Sequence, residues 1–444
     1  MALAPLGFGV ATSAYQVEGA VGADGRGRST WDEFCERPGV IVDGSDARVA
    51  CDSYHRFAED LALLEGLGVS TYRFSVAWPR VQPEGTGPAN PAGLDYYEAV
   101  VDRLLDKGIQ PMPTLFHWDL PLALEQAGGW PARDTALRFV DYAQLVVDRL
   151  GDRVTTWATM NEPWCTAFLG YAAGVFAPGR REPAAAMTAA HHLLLGHGLA
   201  ARALREQHAG VEVGIVLNLT CVRREAGGDE RAVDLVDALQ NRLWLDALVD
   251  GRYPDVVQVD GVEEGDLDAI RGSSDWIGIN YYTPFRIGRP GADAGAVGQD
   301  VDAFPGAPPF SFAPRPPLTA MGWEVDASGL EDVLHATALR APGVPLRVTE
   351  NGASFPDSTR LADGSIDDQD RIAYLRDHLA AVDRARDLGV PVHDYLAWSL
   401  LDNFEWAQGY SQTFGLVAVE PGTLRRVPKA SYRWYAEQVA ARGR

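Results

Sequence analysis

Thr159-Met160-Asn161-Glu162-Pro163 follows the run Val154-Thr155-Thr156-Trp157-Ala158, and Thr349-Glu350-Asn351-Gly352 follows Val344-Pro345-Leu346-Arg347-Val348. Both runs are apolar and β-branched, so each reads as a strand that delivers a glutamate where a loop begins. In a parallel barrel the C-terminal ends of all strands share one face, and reacting groups gather there. Glu162 and Glu350, 188 positions apart, then face each other across one pocket. Two facing carboxyls suit glycoside hydrolysis, which needs one acid to protonate the leaving oxygen and one carboxylate to attack or to activate water. The competing reading is two unrelated surface glutamates, since charged side chains are mostly exposed. Their neighbours decide between the two.

Outward from these stretches the chain alternates strand-like and helix-like segments. Strands are expected at Leu6–Ala11, Val69–Val76, Ile109–Leu115, Val154–Ala158, Val211–Leu219, Asp275–Ile279, Val344–Val348 and Val392–Ala397. Helices are expected at Ser53–Leu67, Pro91–Lys107, 134–150, Pro183–Gln207, Asp229–Leu248, Gly329 to about Leu339, 367–388 and after Pro428. Eight strand–helix repeats without a linker predict an α/β fold, a single (β/α)8 barrel domain over residues 1–444 with long βα loops around the pocket. Between Thr283 and Met321 the pattern dissolves into Gly, Pro and Ala. A loop of that length calls for a role, here shaping the pocket mouth.

Composition narrows the function classes. Of 444 residues, 46% are hydrophobic and 23% charged, as in a globular protein. The formal charge of −22 disfavours nucleic acid and anionic membrane surfaces. Cys35, Cys51, Cys165 and Cys221 show no CxxC spacing and read as free, mostly buried thiols. His191, His192 and His197 lack an i, i+4 pair and read as structural. No signal peptide is evident at Met1-Ala2-Leu3-Ala4-Pro5, and no apolar run is long enough to span a membrane. A cytoplasmic location is expected, with no metal, nucleotide or organic cofactor. There is no GxGxxG and no GxxxxGKS.

The strand ends carry Gln16, Arg73, His117, Trp118, Asn161, Glu162, Asn280, Tyr282, Glu350, Trp398, Glu405 and Trp406. Sugars have polar rims and apolar faces, and amides, carboxylates and indoles match both. Arg73, set among apolar neighbours, calls for a carboxylate partner. Glu350 and a purely structural acid are both candidates. With Ala14-Tyr15-Gln16-Val17-Glu18-Gly19, Tyr72-Arg73-Phe74-Ser75, Phe116-His117-Trp118-Asp119-Leu120-Pro121, Asn161-Glu162-Pro163, Thr349-Glu350-Asn351-Gly352 and Trp398-Ser399-Leu400-Leu401-Asp402-Asn403-Phe404-Glu405-Trp406 in this order, the chain resembles glycoside hydrolase family 1, the β-glucosidase family. The resemblance runs from Phe8 to about Tyr435.

The resemblance implies a retaining mechanism with Glu350 as nucleophile and Glu162 as acid/base. Arg73 and Tyr282 would support Glu350 as a carboxylate, and the like charge of Glu350 would raise Glu162. The resemblance also implies that Gln16, His117, Asn161, Glu405 and Trp406 hold the hydroxyls of the first sugar, with Trp398 as its floor. Trp118 and Asn280 are counted with the sugar-binding set, and Asn218 and Trp323 with the aglycone side. Members that take 6-phosphorylated sugars lack the acid at Glu405. Here Glu405 and Trp406 stand intact and Ser411-Gln412-Thr413 offers no lysine, so an unphosphorylated β-glucoside or oligosaccharide is the expected partner.

Arg347, Gln408, Gln412, Thr413 and the segment Val417-Ala418-Val419-Glu420-Pro421-Gly422 depart from the family pattern. They bear on aglycone preference and the rim, not on the reaction. Transglycosylation, a β-galactosyl or β-fucosyl preference, and a non-catalytic sugar-binding role stay open. So does the oligomeric state.

Overall fold

Pro91–Asp106 shows how the sequence sets an element. Proline stands at the first helical turn, where no N–H is missed, and Leu94, Tyr97, Val100, Val101 and Leu104 recur at helical spacing on the buried face. Gly108 then turns the chain at φ 71°. The strand that follows runs from Gln110 to Phe116, buried on both faces after its first residue, as a barrel strand between side-chain layers must be. This alternation repeats around the molecule.

The computed structural model describes residues 3–291, 296, 298–362 and 364–442. Met1 and Ala2, part of the start read above for a signal peptide, and residues 292–295 and 297 of the long loop lie outside the described residues. The barrel strands are β1 (Gly7–Ala11), β2 (Thr71–Ser75), β3 (Gln110–Phe116), β4 (Thr156–Asn161), β5 (Glu212–Asn218), β6 (Trp276–Asn280), β7 (Leu346–Asn351) and β8 (Val392–Trp398). All pair in parallel, each with its sequence neighbours, and β1 closes onto β8. This is the (β/α)8 barrel expected.

The barrel floor is packed by Met112, Ala158, Val216, Trp276 and Leu396. Gly214 is needed there, because a Cβ at that position would collide with the Trp276 ring. Arg347 stands over the Trp276 ring with its guanidinium carbon 5.3 Å from the centroid and pairs with Asp394. This departure from the family pattern therefore belongs to the N-terminal end of the barrel, away from the pocket. Gln412 instead accepts from Ser354 Oγ at 2.9 Å, tying the loop after β8 to the loop after β7.

Several expectations need correction. The segment 283–321 is not pattern-free. Phe285–Gly288 and Ser311–Phe312 form a small sheet with Val222–Arg224. The helix expected over Asp229–Leu248 is Glu230–Asp237 and Leu243–Asp250 joined by a π-turn at Ala238–Arg242. A second π-helix, Cys165–Ala172, follows β4 where no element was expected. Val417–Val419 pairs with Arg426–Pro428 in a hairpin within the expected loop.

The three histidines engage protein groups. His191 Nε2 lies 2.9 Å from Asp266 Oδ2, His192 Nδ1 3.0 Å from the Trp130 carbonyl, and His197 Nδ1 2.8 Å from Thr159 Oγ1. The four cysteines are free thiols. Among the described residues, no helix is long and apolar enough to cross a membrane.

Candidate active site

At the C-terminal ends of the strands an open pocket of about 950 Å³ is lined by His117, Trp118, Glu162, Asn280, Tyr282, Trp323, Glu350, Trp398, Glu405 and Trp406. These sites come from the ends of β3, β4, β6, β7 and β8 and the loops beyond them. Local irregularity aims the two glutamates. The β4–β5 register slips between Ala158 and Asn161, and the β6–β7 register between Val348 and Glu350. Bulges of this kind redirect side chains. Gly352 follows Glu350 because a Cβ there would strike the Trp398 carbonyl.

Arg73, fully buried in β2, resolves the choice left by the sequence. Its guanidinium donates to Glu350 Oε1 at 2.6 Å, to Asn161 Oδ1 at 2.7 Å and to Thr114 Oγ1 at 3.0 Å. Tyr282 Oη donates to Glu350 Oε2 at 2.6 Å. Both oxygens of Glu350 thus carry a strong donor. Burial raises the Glu350 carboxyl, while Arg73 and Tyr282 pull it back toward the ionised form.

Glu162 has a different environment. Asn280 Nδ2 donates to its Oε1 at 2.7 Å, and Cys165 Sγ donates to its Oε2 at 3.1 Å. Its pKa is pushed up to about 7, first by burial and second by the charge of Glu350. Like-charge repulsion is therefore not the leading cause, contrary to the sequence expectation, because the Glu162 side chain is buried. The two carboxyls titrate as a pair. Of the two, Glu350 alone holds a direct cation contact, which favours its ionised form.

Asn280 is itself fixed. Its Oδ1 accepts from Thr349 Oγ1 at 2.8 Å, which assigns its Nδ2 to Asn161 Oδ1 and Glu162. Asn161 Nδ2 meets His117 Nε2 at 3.0 Å. An amide N–H donates there, so His117 accepts at Nε2 and bears its proton on Nδ1. Burial, with Arg73 nearby, holds His117 neutral. Its Nδ1 is buried without a partner among the described residues.

Gln16 and Asn161 sit one layer behind the wall. Gln16 Nε2 donates to Asn403 Oδ1 and the Phe404 carbonyl, both at 3.0 Å, and to Glu405 Oε2 at 3.4 Å. Its Oε1 accepts from Ser13 Oγ at 2.6 Å. The expected hydroxyl contact by Gln16 competes with these bonds, which hold Glu405 in place. Glu405 is pushed up to about 8 by burial, then by Glu350 and Glu162.

Indoles complete the pocket. The ring planes of Trp398 and Trp406 lie within 20° of His117, with centroids 6.1 and 6.0 Å away. Trp323 packs on Tyr282 at 5.4 Å. Asn218, Trp164, Leu169 and Phe285 form the side beyond Glu162. Thr114, Cys165 and Gln240 escaped the sequence reading. Thr114 lies within the strand expected at Ile109–Leu115 and reads like any strand residue, and neither a thiol nor an isolated amide has a spacing signature.

The chain was compared with known proteins. The model of glycosyl hydrolase family 1 matches residues 5–444. The thermostable beta-glucosidase B of Thermobispora bispora is 46% identical, with 99% of this chain and 91% of that protein covered. The bifunctional beta-D-glucosidase/beta-D-fucosidase of Bifidobacterium breve is 44% identical over 98% of this chain and 97% of its own. Among solved structures, the psychrophilic beta-glucosidase BglU of Micrococcus antarcticus superposes with a TM-score of 0.94 at 43% identity, covering 98% and 97% of the two chains. A barrel with two unequally held glutamates at its C-terminal face, matched along its length in this way, belongs to glycosyl hydrolase family 1.

Proposed function

We propose that this protein is a retaining β-glucosidase that removes terminal, non-reducing, unphosphorylated β-D-glucosyl residues. One observation carries the reading: two buried carboxyls share a pocket, one braced as a carboxylate by Arg73 and Tyr282, the other held near neutrality. Glu350 attacks the anomeric carbon while the glycosidic bond breaks, and Glu162 gives its proton to the leaving oxygen. With Glu350 esterified its charge is gone, so Glu162 becomes more acidic. Water then loses a proton to Glu162, and its oxygen displaces Glu350 from the sugar. Retention needs the carboxyls about 5–5.5 Å apart, and the Asn280 amide acting on both supports that spacing.

In the same proposal His117, Glu405 and Trp406 bind the sugar rim, Asn161 and Gln16 reach it by giving up bonds they make to neighbouring residues, and Trp398 supports the ring. Trp323 and Asn218 face the aglycone. A carboxylate at Glu405 repels a 6-phosphate. The whole chain is taken as one domain, and its four free thiols suit a reducing cytoplasm. The Bifidobacterium breve relative, named for both activities, makes β-D-fucosyl turnover the second reading.

The test is initial rates on nitrophenyl β-glucoside, β-galactoside, β-fucoside and α-glucoside, with Glu350→Ala and Glu162→Ala alongside. Turnover of β-glycosides alone, lost in Glu350→Ala, is expected. Folded wild-type protein that turns over no β-glycoside would mean the pocket only binds sugars.

A further inference from the structure

Cys165 stands three residues after Glu162, at the start of the π-helix Cys165–Ala172. Its Sγ donates to Glu162 Oε2 at 3.1 Å. The same sulfur accepts from Asn218 Nδ2 at 3.6 Å, and Gln240 Nε2 holds the Asn218 carbonyl at 2.6 Å. Sulfur is a weak donor and a weak acceptor. With Asn218 on its lone pair, the S–H is aimed at Glu162. The other carboxyl oxygen, Oε1, accepts from Asn280 Nδ2. An oxygen already facing an N–H is the poorer place for the acid proton, which therefore sits on Oε2, beside the thiol.

We infer that Cys165 is a positioning residue for the proton transfer, fixing Oε2 of Glu162 toward the leaving oxygen and bracing the carboxylate that remains. The inference rests on the acid/base reading of Glu162. The proton passes from Oε2 to the leaving oxygen, and in the second half-reaction a proton from water returns to Oε2. The thiol is neither consumed nor oxidised. Burial and the neighbouring Glu162 carboxyl keep it protonated, so it stays a donor.

The chain Gln240–Asn218–Cys165–Glu162 also joins the acid to the wall where the leaving group lies. Glu350 from β7, Arg73 from β2, Tyr282 beyond β6, Glu405 beyond β8 and neutral His117 beyond β3 are the other titratable groups facing this site. Exchanging the thiol leaves all of these side chains in the chain, and Glu350 follows Glu162 as its titration partner.

The experiment is the pH profile of kcat/KM on a nitrophenyl β-glucoside for wild type, Cys165→Val and Cys165→Ser. The alkaline limb reports the acid in the free enzyme. Valine, branched and larger by about one methyl group, removes the donor, so the limb moves to higher pH by about half to one unit. Serine is a stronger donor, so the limb moves to lower pH. Opposite displacements support the inference, because a purely packing role would move both variants the same way. A limb that stays within about 0.2 units in both, or shifts in one direction in both, overturns it. If Cys165→Val does not fold, Cys165→Ala replaces it under the same criterion. Loss of every β-glycosidase activity in wild type would instead fail the functional reading and is seen before any variant is compared.

Discussion

Replacing Glu405 by glutamine stabilises the protein increasingly as pH rises. The Glu405 carboxyl is pushed from 4.5 up to about 8, by burial first and by Glu350 and Glu162 next. Its one hydrogen bond among the described residues is the 3.4 Å contact from Gln16. A carboxyl with a raised folded-state pKa binds its proton more tightly folded than unfolded. Stability is therefore lost as pH climbs from about 4.5 to about 8, and the loss is complete above that.

At pH 7 the shift corresponds to about 3 kcal/mol for a dry site, at 1.36 kcal/mol per unit. Glu405 borders the open pocket, and screening by water there reduces this to about 1–3 kcal/mol. With an unfolding entropy of about 2.1 cal/mol/K per residue, a chain of 444 residues gains about 1–3 °C in Tm at pH 7. Scanning calorimetry of wild type and Glu405→Gln from pH 4.5 to 9 reads the gap directly. It should be near zero at the acid end, widen through neutrality and level off above pH 8. A gap independent of pH, or a variant less stable at every pH, would refute the account of Glu405 as a buried charge.

Further predictions concern the other carboxyls. Glu350→Gln removes the like charge but not the burial, so a carbon-13 carboxyl titration should find Glu162 below about 7 yet still above an ordinary glutamate. An unchanged value would show that the two carboxyls do not interact. Tyr282→Phe deletes the 2.6 Å bond to Glu350, a charge-assisted contact whose loss slows kcat/KM about 10–100-fold. Because that bond favours the ionised form, its removal raises Glu350 and shifts the acid limb of the pH profile to higher pH. A lower acid limb would contradict the assigned role. A 6-phospho-β-glucoside should be turned over more slowly than the plain glucoside, and rate comparison on the two nitrophenyl substrates decides it.

The barrel was legible because its strands are buried on both faces and read as apolar runs, separated by helices of 3.6 period. Val69–Val76 was expected and Thr71–Ser75 is found. Arg73 betrayed the site because a cation in such a strand must find an acid. The small sheet of Val222–Arg224, Phe285–Gly288 and Ser311–Phe312 was not legible. Strands of two to four residues, held by pairing between loops, leave no period to detect. The π-turn at Ala238–Arg242 inserts within an amphipathic run and shifts its face without interrupting it. The leading cause of the Glu162 shift was hidden too: a sequence shows that two acids share a strand-end face, but not how deep either lies.

Depth and direction come from the backbone just beyond the strands. Trp118, Glu162 and Trp406, all lining the pocket, adopt left-handed φ values of 77°, 45° and 49°. For residues with a Cβ such a conformation costs on the order of 1–3 kcal/mol each, so each must be held. Trp118 Nε1 donates to the Asn161 carbonyl at 2.9 Å, and the Glu162 N–H donates to the Val216 carbonyl at 2.8 Å. Trp406 is wedged between Trp118 and Trp31, with ring centroids at 4.5 and 4.6 Å. The Trp118 bond closes on the residue just before Glu162, so strain at one position is restrained by the neighbour of the next. The left-handed step at Glu162 comes directly after the end of β4, and those at Trp118 and Trp406 lie in the loops beyond β3 and β8, with all three side chains lining the pocket. The barrel thus contributes more than a platform, because its rigid strand ends hold the conformations that make two distant glutamates face each other.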